Sequence, residues 1–273
     1  MKVWVDGGLH DPADARVSAF DHGLTVGDGV FETTKVAGGV PFALTRHVTR
    51  LARSAAGLGL PAPEDALIRT AIAEVLASAG DAGMLRLRIT YTGGIAPMGS
   101  DRGTAAPTLI VAATPIAPWA PTTTLATVPW PRNERGATAG LKTTSYAENV
   151  IALAHAKSAG AAEAVFANTR GDLCEGTGSN VFVAIDGELL TPPLASGCLA
   201  GVTRALVLNW CGAQERDLPL TALGEAAEVF ITSATRDVLP VCAVDGRPLV
   251  APGPLTLAAM ESFATHSALD QDP

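Results

Sequence analysis

Four lysines occur in the 273-residue chain, and one of them, Lys142, stands just ahead of a helical pattern in "GLKTTSYAENVIALAHAKSAG". A primary amine can condense with a carbonyl and, once released, carry a proton. Most lysines are solvated surface charges, so the amine needs company before it means anything. Glu175, in "LCEGTGSNVFVAIDG", is a carboxylate at a crowded glycine turn. It reads either as a turn residue or as an acid that keeps a ring nitrogen protonated. Gly201-Val202-Thr203 lies where a loop enters an apolar helix. The first N–H groups of a helix lack internal partners and attract anions, although most such junctions are only caps. "FITSATRDVLP" ends a strand at Thr232-Ser233-Ala234-Thr235, a set of hydroxyls and turn amides that also fits an ordinary polar turn.

Arg46, Arg50 and Arg53 recur at helical spacing, the pattern of a solvated face. Arg50 precedes an inward-facing leucine, so it is the one that leans toward an interior. His22, in "FDHGLTVGDGVFE", reads as a turn residue, and His47, His155 and His266 lack partners at a recognisable spacing. There is no Ser-His-Asp arrangement, Walker A loop or metal quartet in the sequence, and no metal site is expected. Cys174, Cys198, Cys211 and Cys242 are widely spaced, as in the reduced thiols of a cytoplasmic protein.

These groups must be held by elements that the pattern outlines. Strands are expected at "MKVWVDGGL" and "GVFETTKVAGGVPFAL", helices around "TRHVTRLARSAAGLGL" and "PEDALIRTAIAEVLASAG", then strands at "MLRLRITYT" and "APTLIVAAT". That order describes a small α+β unit of residues 1–113 with helices on one side of a sheet. The proline-rich stretch within 114–122 reads as a linker, followed by a larger unit of residues 123–273 that carries the lysine. In that second part the pattern gives strands at "TLATVPW", "AEAVFAN", "NVFVAIDGELLTPP" and "EVFITSA", and a helix through "TRALVLNWCGA". Ser145-x-x-Glu148 has the form of a capping box for a helix that runs through Val150–Ala156 and stops at Gly160.

The composition is 48% hydrophobic, enough for buried cores, with a net charge of −8 and an isoelectric point near 5.1. No global basic surface is available to nucleic acid or anionic membrane. The N-terminal segment lacks a signal-peptide core, and no uninterrupted apolar span reaches about 20 residues.

Taken in order, "FDHGLTVGDGVFETTKV", "HVTRLARS", "GLKTTSYAENV", "EGTGSNVFV", "GVTRALV" and "EVFITSATRDVLPV" resemble the class IV aminotransferases, the fold-type IV pyridoxal-phosphate family. The resemblance implies an α/β (α+β) fold of two domains with the cofactor, pyridoxal 5′-phosphate, in the interdomain cleft, usually as a homodimer. It implies that Lys142 forms the internal aldimine and carries the proton. Glu175 would hold the pyridine nitrogen protonated, and Arg50 would bind the phosphate with Val202 and Thr203. Tyr146 would stand beside the phenolic oxygen. Ser233 and Ala234 match a second phosphate turn, where Ala234 replaces the hydroxyl residue of many relatives and leaves its amide to serve with a hydroxyl from Ser233 or Thr235. Phe31, Thr33, Arg88 and Arg102 are the implied substrate contacts, with either Arg88 or Arg102 replacing an Arg-x-His carboxylate clamp that "TGGIAPMGSDRGTAAP" lacks. The reaction implied is transfer of an amino group from a D-amino acid, or an (R)-amine, to a 2-oxo acid. The alternative is an aminodeoxychorismate lyase releasing pyruvate; a branched-chain aminotransferase and a catalytically silent cofactor-binding protein fit less well.

Overall fold

A computed structural model describes residues 1–80 and 82–273. The chain divides into two compact units, Met1–Ala117 with Leu141–Tyr146 and Gln271–Pro273, and Pro118–Gly140 with Ala147–Asp270. No described helix is long and apolar enough to cross a membrane.

The first unit contains strands β1 (Val3–Val5), β2 (Gly8–His10), β3 (Gly29–Ala37), β4 (Val40–Pro41), β5 (Leu85–Thr92) and β6 (Thr108–Pro115), with helices α1 (His22–Thr25), α2 (Leu44–Gly57) and α3 (Asp65–Ala77). The strands form one sheet in the order β2-β1-β6-β5-β3-β4, and every neighbouring pair is antiparallel. Along β5 the sequence LRLRIT alternates: Leu85, Leu87 and Ile89 are buried while Arg86 and Arg88 are exposed. This period of two gives the sheet an apolar face. Leu51, Ala55, Ile68, Ala71 and Val75 of α2 and α3 pack on that face with Val30, Val36, Leu87 and Val111. The register sets Thr33 opposite Arg88 and Phe31 opposite Thr90, on the face that α2 leaves open.

Two expectations change here. Strand β6 runs through Thr114 and Pro115, into the segment read as linker. The lysine segment does not belong to the second unit. Leu141–Tyr146 groups with the first, because it pairs with the free edge of β3: Phe31 N donates to Lys142 O at 3.0 Å and Thr144 N to Gly29 O at 2.8 Å. Backbone hydrogen bonds, invisible in the local pattern, decide the membership. Gly29 permits this approach, since a Cβ there would lie 3.1 Å from both Thr144 Oγ1 and the Tyr91 carbonyl oxygen.

The second unit holds β7 (Thr123–Thr127), α4 (Ala147–Ser158), β8 (Glu163–Ala167), β9 (Leu173–Gly176), β10 (Asn180–Ile185), β11 (Glu188–Thr191), α5 (Val202–Cys211), β12 (Gln214–Glu215), α6 (Ala222–Glu225), β13 (Glu228–Ser233), β14 (Asp237–Val244), β15 (Arg247–Pro248) and α7 (Pro254–Leu269). The sheet order is β12-β11-β10-β13-β14-β7-β8-β9, with β15 on β14. Strand β7 is parallel to both β14 and β8. Ala152 and Ala156, one turn apart on α4, are fully buried against Ala126, Ala164 and Phe166, and their small size lets helix and sheet approach closely. The proposed capping box does not form as read. The Ser145 hydroxyl donates to the Gly27 carbonyl, and the Glu148 carboxylate accepts from Arg132. Strand β14 and helix α7 were not outlined by the sequence pattern. Apolar residues surround α7 without a clean stripe, and Pro254 in its first turn is the only clear start signal.

Candidate functional site

In the first unit, Lys142 is fixed through its backbone. Its carbonyl accepts from Phe31 N, and its N–H donates to Ser54 Oγ at 3.2 Å, a hydroxyl fully buried on α2. The Lys142 Nζ lies 4.4 Å from the Phe31 ring centroid, and the Arg88 guanidinium lies 3.8 Å from the same centroid. Tyr146 meets Phe31 edge to face at 5.4 Å. Thr33 faces Arg88 in the strand register. Thus Phe31, Thr33, Arg88, Lys142 and Tyr146 gather as a group. Arg102 does not join it: its Nε and Nη2 donate to Asp28 at 2.5 and 2.6 Å, and it also holds the Leu58 and Gly59 carbonyls. The Arg102 guanidinium also holds the Asp28 carboxyl below its ordinary value.

On the helix-covered face, Arg50 meets a partner that the sequence did not signal. Glu32 takes the Arg50 Nε and Nη2 donors at 2.7 Å each and His47 Nδ1 at 2.6 Å. All three side chains are buried. Burial alone would raise the Glu32 carboxyl; the Arg50 guanidinium and then His47 overcome it and bring the pKa down to about 2. Burial lowers the pKa of His47 despite Glu32, and the positive charges of Arg50 and Lys142 push it the same way. A neutral His47 therefore donates Nδ1–H to an ionised Glu32. His47 and Arg50 stand one helical turn apart, which is a signal; their partner lies on β3, which is why spacing along the helix missed it.

In the second unit, Glu175 on β9 accepts from Leu199 N at 2.9 Å. Arg132 Nε approaches its other oxygen at 3.4 Å. Arg132 is itself held by Asn149 Oδ1 at 2.7 Å and lies 4.2 Å over the Phe166 ring. No local motif marks Arg132 as the companion of Glu175. Helix α5 starts at Val202 after Gly201, an N-cap residue with no side-chain capping bond. Val202 and Thr203 are buried. A Cβ on Gly201 would come within 2.0 Å of Asn180 Oδ1, so only glycine fits this entry to the helix. Ser233 and Ala234 form the turn from β13 to β14, and the Ser233 oxygen accepts from Arg236 Nε at 2.9 Å.

Each unit by itself carries groups whose chemistry fits pyridoxal phosphate. The first has an amine, Lys142, that could take an aldehyde; the second has a carboxylate, Glu175, bonded by Leu199 N and beside Arg132, that could meet a ring nitrogen. The uncapped N-terminus of α5 offers N–H groups to a phosphate, with a glycine at the entry.

The chain matches the family described as amino-transferase class IV over residues 29–244. It is 34% identical to a putative branched-chain-amino-acid aminotransferase of Methanocaldococcus jannaschii, over 90% of this chain and 89% of that one. It is 32% identical to a D-alanine aminotransferase of Bacillus licheniformis, over 94% and 93% of the two chains. Among solved structures, a branched-chain aminotransferase from the archaeon Thermoproteus uzoniensis, crystallised with norvaline, superposes with a TM-score of 0.89 at 30% identity, covering 97% of this chain and 93% of the other. The chain therefore belongs to the class IV aminotransferases, pyridoxal-phosphate-dependent enzymes of fold type IV that move an amino group from an amino donor to a 2-oxo acid.

Proposed function

We propose that the enzyme transfers the amino group of D-amino acids, D-alanine first, to 2-oxo acids. The observation that carries a carboxylate-bearing substrate is the flanking of one ring, Phe31, by the Lys142 amine and the Arg88 guanidinium. An amine that moves a proton and a cation that grips a carboxylate suit an amino acid better than a simple amine. The D configuration is supported by the D-alanine aminotransferase relative; the branched-chain relative, at similar identity, argues for the competing L specificity.

Pyridoxal phosphate, when bound, supplies a carbonyl for the substrate amine and a ring that draws electrons from its Cα. Lys142 takes the Cα proton and returns it on the other side of the transfer. Arg88 orients the carboxylate over Phe31. Glu175, with Arg132 beside it, keeps a proton at the ring nitrogen. Arg50, its plane fixed by Glu32, serves the phosphate together with Val202 and Thr203 and the Ser233–Ala234 turn, and Tyr146 serves the phenolic oxygen. The family likeness supports a cytoplasmic homodimer built from two domains.

Half-reactions with D- and L-alanine, D- and L-leucine and (R)-1-phenylethylamine, followed by cofactor absorbance, test the reading. The D-amino acids should bleach the bound cofactor fastest. An enzyme that ignores them and releases pyruvate from aminodeoxychorismate is the lyase instead, and one that prefers L-leucine is a branched-chain aminotransferase.

A further inference from the structure

The turn Ser233–Arg236 and the turn Gly176–Ser179 meet over one buried carboxylate. Glu163, at the start of β8, is 5% exposed. Its Oε1 accepts from Thr177 Oγ1 at 2.6 Å and from Gly178 N at 2.9 Å, and its Oε2 accepts from Arg236 Nη1 at 2.6 Å. Arg236 extends the network: Nε donates to Ser233 Oγ at 2.9 Å and Nη2 to the Gly178 carbonyl at 3.1 Å. Gly176 is required beneath this contact, because a Cβ there would fall 2.4 Å from Ser179 Oγ and 3.0 Å from Glu163 Oε1.

A guanidinium next to an anion seat would ordinarily be read as a ligand of the anion. Here each of its three nitrogens already donates to the protein, and its charge is balanced by Glu163. Its effect on Ser233 is directional. A hydroxyl oxygen that accepts from Nε–H keeps its own proton for another acceptor. Ser233 is thereby set as a donor away from Arg236, while Ser233 and Ala234 remain partly exposed.

We propose that Arg236, anchored by Glu163, is a positioning residue for phosphate recognition, which presets the Ser233 hydroxyl as an outward donor and ties its turn to the Gly178 turn without itself touching the phosphate. This rests on the reading of Ser233–Ala234 as a phosphate seat and is independent of which amino acid is the substrate.

The test compares binding of pyridoxal 5′-phosphate and of pyridoxal, which lacks the phosphate, to the full-length apo protein by titration. Arg236→Gln should weaken the phosphate ester by about tenfold or more while changing pyridoxal by less than about twofold. Arg236→Lys should recover only part of the loss, because an ammonium cannot bridge three acceptors in the geometry of a planar fork. Glu163→Gln should reproduce the selectivity, and Ser233→Ala added to Arg236→Gln should cost little beyond Arg236→Gln alone. Equal weakening of both ligands, or full rescue by lysine, overturns the positioning role. Ser233→Ala with wild-type affinity for the phosphate ester overturns the seat itself. Arg236→Lys and Ser233→Ala keep a cation or the whole clamp in place, so both arms can be read if Arg236→Gln does not fold.

Discussion

Each unit buries one carboxylate under an arginine, and the two do so differently. Glu32 in the first unit is held by His47 and Arg50, neighbours on one turn of α2. Glu163 in the second gathers donors from two separate turns, Thr177 with Gly178 and the more distant Arg236. Both carboxyls are driven below their ordinary values against the effect of burial. The first arrangement aims one cation from a rigid helix. The second fixes the backbone of loops. Removing Glu32 leaves Arg50 buried in a region that also feels the charge of Lys142, whereas removing Glu163 leaves Arg236 with the Ser233 and Gly178 oxygens. Equal composition therefore carries unequal consequence: one site stores electrostatic stability, the other loop geometry.

The largest expected effect isolates the chemistry from both clusters. Lys142→Ala should lower turnover by at least about a thousandfold, the scale of a lost proton-transfer group. It should leave the fold in place and raise the pKa of His47, since the lysine charge is one of the causes that lower it. Turnover and the loss of a borohydride-reducible lysine linkage check the first point, and an NMR titration of the imidazole the second. A variant that keeps the linkage would move attention to Lys35.

The next effect tests the comparison directly. Glu32→Ala should destabilise the protein by about 3–5 kcal/mol, because an unpaired buried guanidinium remains. Glu163→Ala should cost less, about 1–3 kcal/mol, as Arg236 retains other acceptors. Urea unfolding of both variants at one pH ranks them; a larger loss for Glu163→Ala would reverse the contrast. Within the second unit, Glu175→Gln should slow Cα proton abstraction about tenfold or more by weakening the hold on the ring-nitrogen proton. Arg50→Ala should instead weaken cofactor binding. Single-turnover rates at saturating cofactor separate the two, and normal chemistry in Glu175→Gln would contradict its role.

Acid should expose the one group that only the first cluster has. His47 is lowered from 6.5 by burial, so its neutral form belongs to the fold; its contribution is complete above pH 6.5 and declines as the pH falls below that value. Glu32, lowered from 4.5 to about 2, contributes fully above pH 4.5 and is lost only on the way down to about pH 2. The loss between pH 6.5 and 5 should therefore shrink in His47→Gln, as read from urea midpoints, while persistence of the full slope would assign it elsewhere. The smallest effect belongs to Arg102→Gln. The partly exposed pair with Asp28 should cost about 1 kcal/mol or less, with KM for the amino donor unchanged if Arg88 alone grips the carboxylate.

Legibility followed the range of the interactions. The alternating LRLRIT strand, the α2 and α3 helices and the glycine entry to α5 are local patterns, and each was readable. Arg50 was readable as an inward-leaning arginine, because its position next to Leu51 is a matter of helical phase. Its carboxylate was not, because Glu32 lies on a strand whose alternation shows only that it shares the face of Val30 and Val36. Arg132, Arg236 and Glu163 carried no local mark at all. Arg102 looked as suited to a substrate as Arg88, and only the packed loop shows that its donors go to Asp28, Leu58 and Gly59.

By itself the sequence determined the class of chemistry, since a lysine at the approach to a helix, a carboxylate at a glycine turn and a glycine-led helix occur here in one family order. It also determined most elements, through periods of two and of about 3.6 residues that register which side chains leave water. Tertiary structure alone decided which unit holds Lys142, which arginine stands beside Phe31 and which carboxylates pin the rest. Those outcomes rest on hydrogen bonds and charge pairs between residues far apart in the chain. Their strength comes from burial, and burial is a property of the folded molecule that no local window contains.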